Sequence, residues 1–597
     1  MKQIPTKLYS LFLLLALFSC LSLTSSCSDS GSSEAGNVRE AKGGRFYGGV
    51  FNVNETEYFR TLFPLNIVDV YSYRIASQIY EGLFKLDPKT LRVTNGLAES
   101  YELSEDRKVY TIRLKKGVFF HDDAAFPDGK GREFVAEDVK YCLTRLATQS
   151  RDNQGYHVIG GVVKGAEGYY SATANGATPS VEMEGVKIID KHTIEITLEK
   201  PNALFLNYLA RPETYIFPKE AYEKYGVDMG GKAVGTGAFI LADVEEDISV
   251  ILKRNDNYHG IDEAGNRLPY LDAVKVYFIK DKKTELFEFR KNKLDMVYRL
   301  PTDYIIDIID EYQRADGSLP FELEHEPEMQ TQILTFMTDD EIFKNVDIRK
   351  AFSFAINKDE IFEYVLGGEA YEAGHHGITP PSFKDKGYPD DIYGYEYNPD
   401  SARYYFNKAG YKSAADFPKI TLELNAEGDR NTNVAVEIKK DLKDVLGVDV
   451  ELNIVPMAQS TDKMMTGNFQ LIKLSWIADF PSPEAFIRMF YGKDVPSTVG
   501  TVSYPNLSRY QNSEFDNLYD KAMNAANEEE AIKYFAQAEN LAMRDAPIIV
   551  LWYDEGYRLL QPYVKNFPNN PMQYRDFSQV YLEPKATENP TNAQAKK

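Results

Sequence analysis

The sequence predicts an α/β protein from three observations. Ile420 to Leu424 alternates as a strand, Val434, Ile438, Leu442 and Leu446 share one helical stripe, and Val448 to Val455 alternates again, which makes a βαβ unit. A second helical stripe of Ile532, Phe535, Ala536 and Met543 stops before Pro547, and the continuous apolar run Ile548 to Trp552 behind it reads as a buried strand. Hydrophobic residues are 43% of 597, enough for several cores, so two or three domains are expected.

In chain order, the first element is not part of the fold. Lys2 and Lys7 form a positive start, and Leu11 to Leu17 is an apolar run too short to span a bilayer. Small residues then lead to Ser25-Ser26-Cys27, so residues 1–26 read as a signal peptide. The segment resembles the lipobox of bacterial lipoproteins, in which the cysteine takes lipid on its sulfur. Cys27 fits that role better than Cys20, which has bulky Phe18 two positions before it, while Thr24 stands where the lipobox usually has Leu. A cut near Ser26 by ordinary secretion is the alternative. Residues 27–45, rich in Ser, Gly and Glu, read as a lipidated tether.

Val50 to Val53 follows as a strand, and Ile75, Ile79 and Leu83 stand at helical spacing. Tyr110 to Leu114 alternates as a strand before the turn Lys115-Lys116-Gly117. Val139, Cys142, Leu143 and Leu146 share a helix face, so Cys142 reads as a packed thiol. Val186 to Ile189 and Thr193 to Leu198 form two strands about the turn Asp190-Lys191. A helix carries Ile348, Ala351, Phe352 and Ala355, and Asn357 with Glu360 starts another through a capping box. The polar tail 586–597 reads as disordered.

With Cys20 removed and Cys27 lipidated, Cys142 is alone and no internal disulfide can form. The net charge of −22, two units more negative without Lys2 and Lys7, argues against nucleic acid or an anionic membrane surface as partner. The histidines form no metal-ligand spacing except adjacent His375 and His376, which a strand would point apart, so no metal is expected. Residues 121–129, starting at His121, lack the ligand pattern of a calcium loop and read as a surface loop. There is no GxSxG, P-loop or third glycine after Gly235-Thr236-Gly237, and no cofactor or enzyme activity is expected.

A set of collinear segments then points to a family. Ile79-Tyr80-Glu81-Gly82-Leu83 looks like IYEGL, Leu97 to Ser100 like the start of LAESW, Arg113 to Asp122 like LRKGVKFHDG, and Ala136 to Val139 like AEDV. Gly235-Thr236-Gly237, Arg254 to Tyr258, Ile348 to Ala351, and Tyr397 through Tyr411 continue the series. In this order the chain, from about 46 to 585, resembles the extracellular solute-binding proteins of the peptide/nickel ABC importer class (family 5), which include the oligopeptide- and dipeptide-binding lipoproteins. The resemblance implies a bilobal periplasmic-binding-protein fold of class II with an extra small domain. Residues 46–78, 182–292 and 548–585 would form lobe I, 79–181 the extra domain and 293–547 lobe II.

It also implies a monomeric, lipid-anchored receptor outside the cytoplasmic membrane. Such a receptor closes its lobes on peptides and delivers them to an ABC permease. A receptor for a metal chelate, oligosaccharide or opine, or a surface peptide chaperone, remains open.

Trp476-Ile477-Ala478-Asp479-Phe480-Pro481-Ser482-Pro483 resembles the W-x-A-D-Y-x-x-P segment of oligopeptide receptors, which implies that Asp479 pairs with a peptide α-ammonium. A cation stripped of water between lobes needs such a carboxylate. The alternative is a turn or helix-cap aspartate before Pro481. Lys473 stands where those receptors carry a basic residue near the ligand carboxylate, but as a point charge rather than a fork; an exposed lysine at the cleft mouth is the alternative. Trp476 is expected as an aromatic wall or as core, and Trp552 as packing.

Overall fold

The computed structural model describes residues 38–584 except 180, 315–319, 426–427, 499 and 526. The segments expected as signal peptide, lipidated Cys27, first part of the tether and disordered tail lie outside the described residues. The tether's end does not: Arg39–Glu40 pairs with Phe46–Tyr47, and Arg45 forms ion pairs with Asp262 and Glu263. Residues 38–45 are therefore docked on the 262–270 loop, because Arg45 supplies charge that the Ser/Gly composition did not weigh.

The elements run as follows. β1 (Val50–Asn54) precedes α1 (Val70–Ile79), whose first turn is capped by Asp69 accepting from Ser72 N at 2.8 Å. β2 (Ala98–Leu103) and β3 (Val109–Leu114) lead to α2 (Ala136–Leu146), then β4 (Val186–Asp190) and β5 (Thr193–Thr197). Next come β6 (Phe239–Glu245), β7 (Ser249–Arg254), β8 (Ala273–Tyr277), β9 (Met296–Tyr298) and the 15-residue β10 (Glu322–Phe336). After α3 (Val346–Ala355) and β11 (Ala370–Ala373), the predicted βαβ unit is β12 (Ile420–Asn425), α4 (Gly428–Leu446) and β13 (Val450–Val455). β14 (Leu471–Ile477), α5 (Glu528–Asp545) and the 13-residue β15 (Ile548–Leu560) complete the set.

Three sheets organise these strands. The first has the order β6–β7–β8–β1, with β1 parallel to β8. The second, β2–β3–β5–β4, is antiparallel. The largest runs β9–β15–β10–β14–β12–β13 with β11 on β15, and β12 is parallel to both β13 and β14. The fold is therefore α/β, with each sheet covered by helices.

Sheet membership differs from the sequence division at two places. β5, assigned by number to lobe I, pairs with β3 of the expected extra domain, and β4 pairs with β5. β15, assigned to lobe I from residue 548, is the inner strand of the sheet built from 296–477, where Ile549, Leu551 and Trp552 pack into that lobe's core. Alternation identifies a strand but not its partner, so both divisions fall inside a sheet.

Local differences have local causes. α1 ends at Ile79 and leaves Leu83 buried in a loop, because Gly82 lies so close to Leu209 O that a Cβ would sit 2.8 Å away. Asn357 Oδ1 accepts from Glu360 N at 3.2 Å as expected, but the Asn357 N–H goes to Asp441 of α4, not to Glu360. His121, expected in a surface loop, is buried. Its Nε2 donates to Gly237 O at 2.9 Å, and its own N–H bonds Gly235 O, so it ties the extra domain to the Gly-Thr-Gly turn.

Candidate functional site

β14 carries two of the predicted residues and separates them. Side chains alternate along a strand, so Trp476 and Lys473 point to opposite faces of the sheet. Trp476 is nearly buried; its indole N–H donates to Ala485 O at 2.7 Å and its ring lies 5.9 Å from Tyr504. Lys473 is buried on the other face, where Nζ donates to Gln332 Oε1 and Asn431 Oδ1, both at 2.6 Å, and sits 5.2 Å from the Trp552 ring centre. It is not at a cleft mouth.

Just past the strand end, Asp479 meets residues from the rest of the chain. Its Oδ2 accepts from Arg211 Nη1 at 2.9 Å. The following helix, Glu484–Ile487, begins without a side-chain cap, so Asp479 is not its cap. Arg211 is buried and gripped from its own side: Nε and Nη2 donate to Glu213 at 3.2 and 2.7 Å, and Nη2 donates to His157 Nε2 at 3.2 Å. His157 Nδ1 bonds Gln154 O at 3.1 Å, which fixes the tautomer that leaves Nε2 as acceptor. Three segments far apart in the chain thus converge through His157, Arg211 with Glu213, and Asp479.

The electrostatics of this convergence are uneven. Two carboxylates face one guanidinium, and Glu484 adds to the negative side. Burial pushes the Asp479 carboxyl up to about 6; Arg211 pulls it down, and Glu213 and Glu484 raise it. Burial beside the cationic Arg211 and Arg488 holds His157 well below the usual histidine range, so it is neutral. The Glu213 side chain is 3% exposed and that of Asp479 33%, so Asp479 is the accessible acid of the group.

A second polar cluster occupies the other face of β14. The β10–β15 ladder slips between Pro327 and Thr331 and again at Gln332, and the irregular stretch presents Glu328, Gln330 and Gln332. Asp554 lies at the centre. It accepts from Arg299 at 3.1 Å, Gln332 at 2.6 Å, Trp552 Nε1 at 2.8 Å and from Arg430, which also pairs with Glu369 at 2.9 Å. Burial opposes the Asp554 charge, but Arg299 and Arg430 hold its carboxyl well below the usual range. Burial and Asp554 push Glu328 well above it, against an ion pair with Arg299 at 2.8 Å. Three cations, Arg299, Arg430 and Lys473, thus gather beside Asp554, Glu369 and Glu328. Trp552 is fully buried as packing beneath them.

Among the described residues, Glu360, Glu437 and Asp441 form the one acidic group with ligand atoms close enough for a metal, and Lys440 already bonds Glu360 at 3.1 Å and also Glu437. Cys142 is buried with its thiol on Phe217 O. No helix of the described residues is long and apolar enough to cross a membrane.

Sequence reasoning reached Asp479 through its motif but missed Arg211, Glu213 and His157. The only local cue was the Arg-Pro-Glu triplet at 211–213, and nothing near His157 marks it. Arg430 and Asp554 were missed because their partners lie far away in the chain.

Comparison with known proteins bears on the whole chain. Bacterial extracellular solute-binding proteins, family 5 Middle, match residues 92–497. A heme-binding protein A of Haemophilus influenzae is 27% identical, covering 87% of this chain and 90% of its own length. An oligopeptide-binding protein of Bacillus subtilis is 26% identical, covering 92% and 94%. A periplasmic binding protein of Helicobacter pylori solved with the peptide STSA has 24% identity and a TM-score of 0.78, over 90% of this chain and 99% of that one. The family match spans more than half of the sequence, the fold is that of bilobal periplasmic binding proteins, and the chain belongs to the bacterial extracellular solute-binding proteins of family 5.

Proposed function

We propose that this protein is a lipid-anchored receptor that captures peptides by lobe closure and delivers them to an ABC permease, with no chemistry on the peptide. Asp479 receives the α-ammonium. The observation that carries this reading is the surplus of negative charge around Asp479, its most accessible member, at the convergence of the three segments. A monocation completes that group, since a desolvated ammonium is tolerable only against a carboxylate.

A second charged cluster supports the other end of the ligand. Lys473, Arg430 and Arg299 gather around Asp554, and such cations suit a peptide carboxylate. In this arrangement Lys473 acts through Gln332 and Asn431, and Trp476 supports the Asp479 loop as a packed wall. Cys27 carries the lipid that keeps the receptor at the membrane surface.

Native mass spectrometry of the mature chain tests this. A ladder of co-purified peptide masses that is lost in Asp479→Asn is the expected result. Peptides retained by the variant would remove Asp479 from the site. Retention of hemin or another non-peptide mass instead would favour the other-solute reading, one relative being a heme-binding protein.

A further inference from the structure

We propose that Arg211 is the positioning residue of the amine subsite: held on the first lobe, it takes one oxygen of Asp479 on the second and leaves the other for the ligand, so that lobe closure presents a pre-set carboxylate to the amine. This rests on the assignment of Asp479 to a peptide ammonium.

The geometry is asymmetric in the way this requires. Glu213 and His157 hold Nε and Nη2 of Arg211 at 2.7–3.2 Å, and Thr214 N and Oγ1 bond the Arg211 carbonyl at 3.1 and 2.9 Å. Pro212 restricts the backbone that follows. All of these partners lie at 157–214; Asp479 alone comes from the other lobe, through Nη1. The guanidinium is therefore fixed before the lobes meet, and a planar fork so fixed sets the plane of the carboxylate that docks on it.

The carboxylate has two oxygens and Arg211 is bonded to one. With Glu213 and Glu484 nearby, the Arg211–Asp479 pair sits in a surplus of negative charge, so it accepts a cationic donor. Because the pair crosses between lobes, it also favours the closed arrangement before any ligand arrives.

The charged and titratable groups facing Asp479 are Arg211 and Glu213 from lobe I, Glu484 from the helix after it, and the Tyr73 and Tyr504 phenols; His157 is neutral. Arg211 is the one group among them that lowers the Asp479 carboxyl, and Glu213 is one that raises it. Removing either therefore moves Asp479 in opposite directions.

The test measures binding of a synthetic mixture of short peptides to the mature chain between pH 5 and 8, with small-angle scattering of the ligand-free protein. For Arg211→Gln the expected results are at least a tenfold loss of affinity at pH 7, an upward move of the acid limb by about one pH unit, and a larger ligand-free radius of gyration. For Glu213→Gln the acid limb moves down. A merely structural role would weaken both variants without moving their limbs apart, and that outcome, or wild-type scattering in Arg211→Gln, overturns the proposal. Arg211→Lys retains a charge and restores part of the acid limb if the glutamine variant does not fold. If the wild type binds none of the peptides, the ammonium assignment fails, while the scattering of Arg211→Gln still decides whether Arg211 closes the lobes.

Discussion

At Asp479 burial and charge act against each other, and the balance sets a pH dependence. Its carboxyl titrates near 6, above the usual aspartate range, so the folded chain holds that proton more tightly than the unfolded chain does. An ammonium ligand needs the ionised form. Affinity for peptides is therefore expected to level off above about pH 7 and to approach a fall of about tenfold per pH unit below pH 6. A second decline is expected above about pH 8, where free α-amines lose their proton. Calorimetry across this range checks the shape; an acid limb near pH 4 would mean that Asp479 does not carry the interaction. Asp479→Asn should lose about 100-fold in affinity at pH 7, in line with truncating one partner of a buried charge pair.

At the scale of elements, close backbone packing joins the segments that flank the site. Gly235 and Gly237 lie against the end of α1, where a Cβ on Gly235 would stand 2.2 Å from Ile79 O and one on Gly237 2.6 Å from Gln78 O. Gly235→Ala is therefore expected to destabilise the protein by about 1–3 kcal/mol through forced displacement of backbone, measured by denaturant unfolding. The α-helix Pro399–Lys408 offers a contrasting case. Asn398 caps it through Ser401 N at 2.9 Å on the surface, and Asn398→Ala should cost about 1 kcal/mol with peptide affinity unchanged. The slip in the β10–β15 pair matters differently: it removes a few rungs of the ladder and so frees Glu328 and Gln330 to meet Arg299.

For the whole molecule, capture and stability are linked. A peptide that binds only the folded, closed chain should raise stability by about 2.7 kcal/mol at a concentration 100 times its dissociation constant, read as an upward shift of the melting temperature. Asp479→Asn, with its hundredfold lower affinity, should cut that gain to about 0.4 kcal/mol at the same peptide concentration while melting normally without ligand. The proposed lipid anchor at Cys27 is tested separately. Cys27→Ser is expected to move the protein from the detergent phase to the aqueous phase on phase partition, with peptide binding retained; retention in the detergent phase would place the anchor elsewhere.

What the sequence determined by itself was local or collinear. The βαβ unit at 420–455, the strand at 548, the buried thiol of Cys142 and the Asp479 motif could be read because each is written in neighbouring residues. The family could be read because its segments recur in order. The tertiary structure decided what depends on partners remote in the chain: that β15 joins the large sheet, that β4 and β5 belong with β3, that His121 is buried under Gly237, and that Lys473 and Trp476 face opposite sides of one strand. Asp479 shows the division most clearly. Its identity came from the seven residues around it, but its charge state depends on Arg211, 268 positions away, because electrostatic coupling follows distance in space and burial rather than distance along the chain.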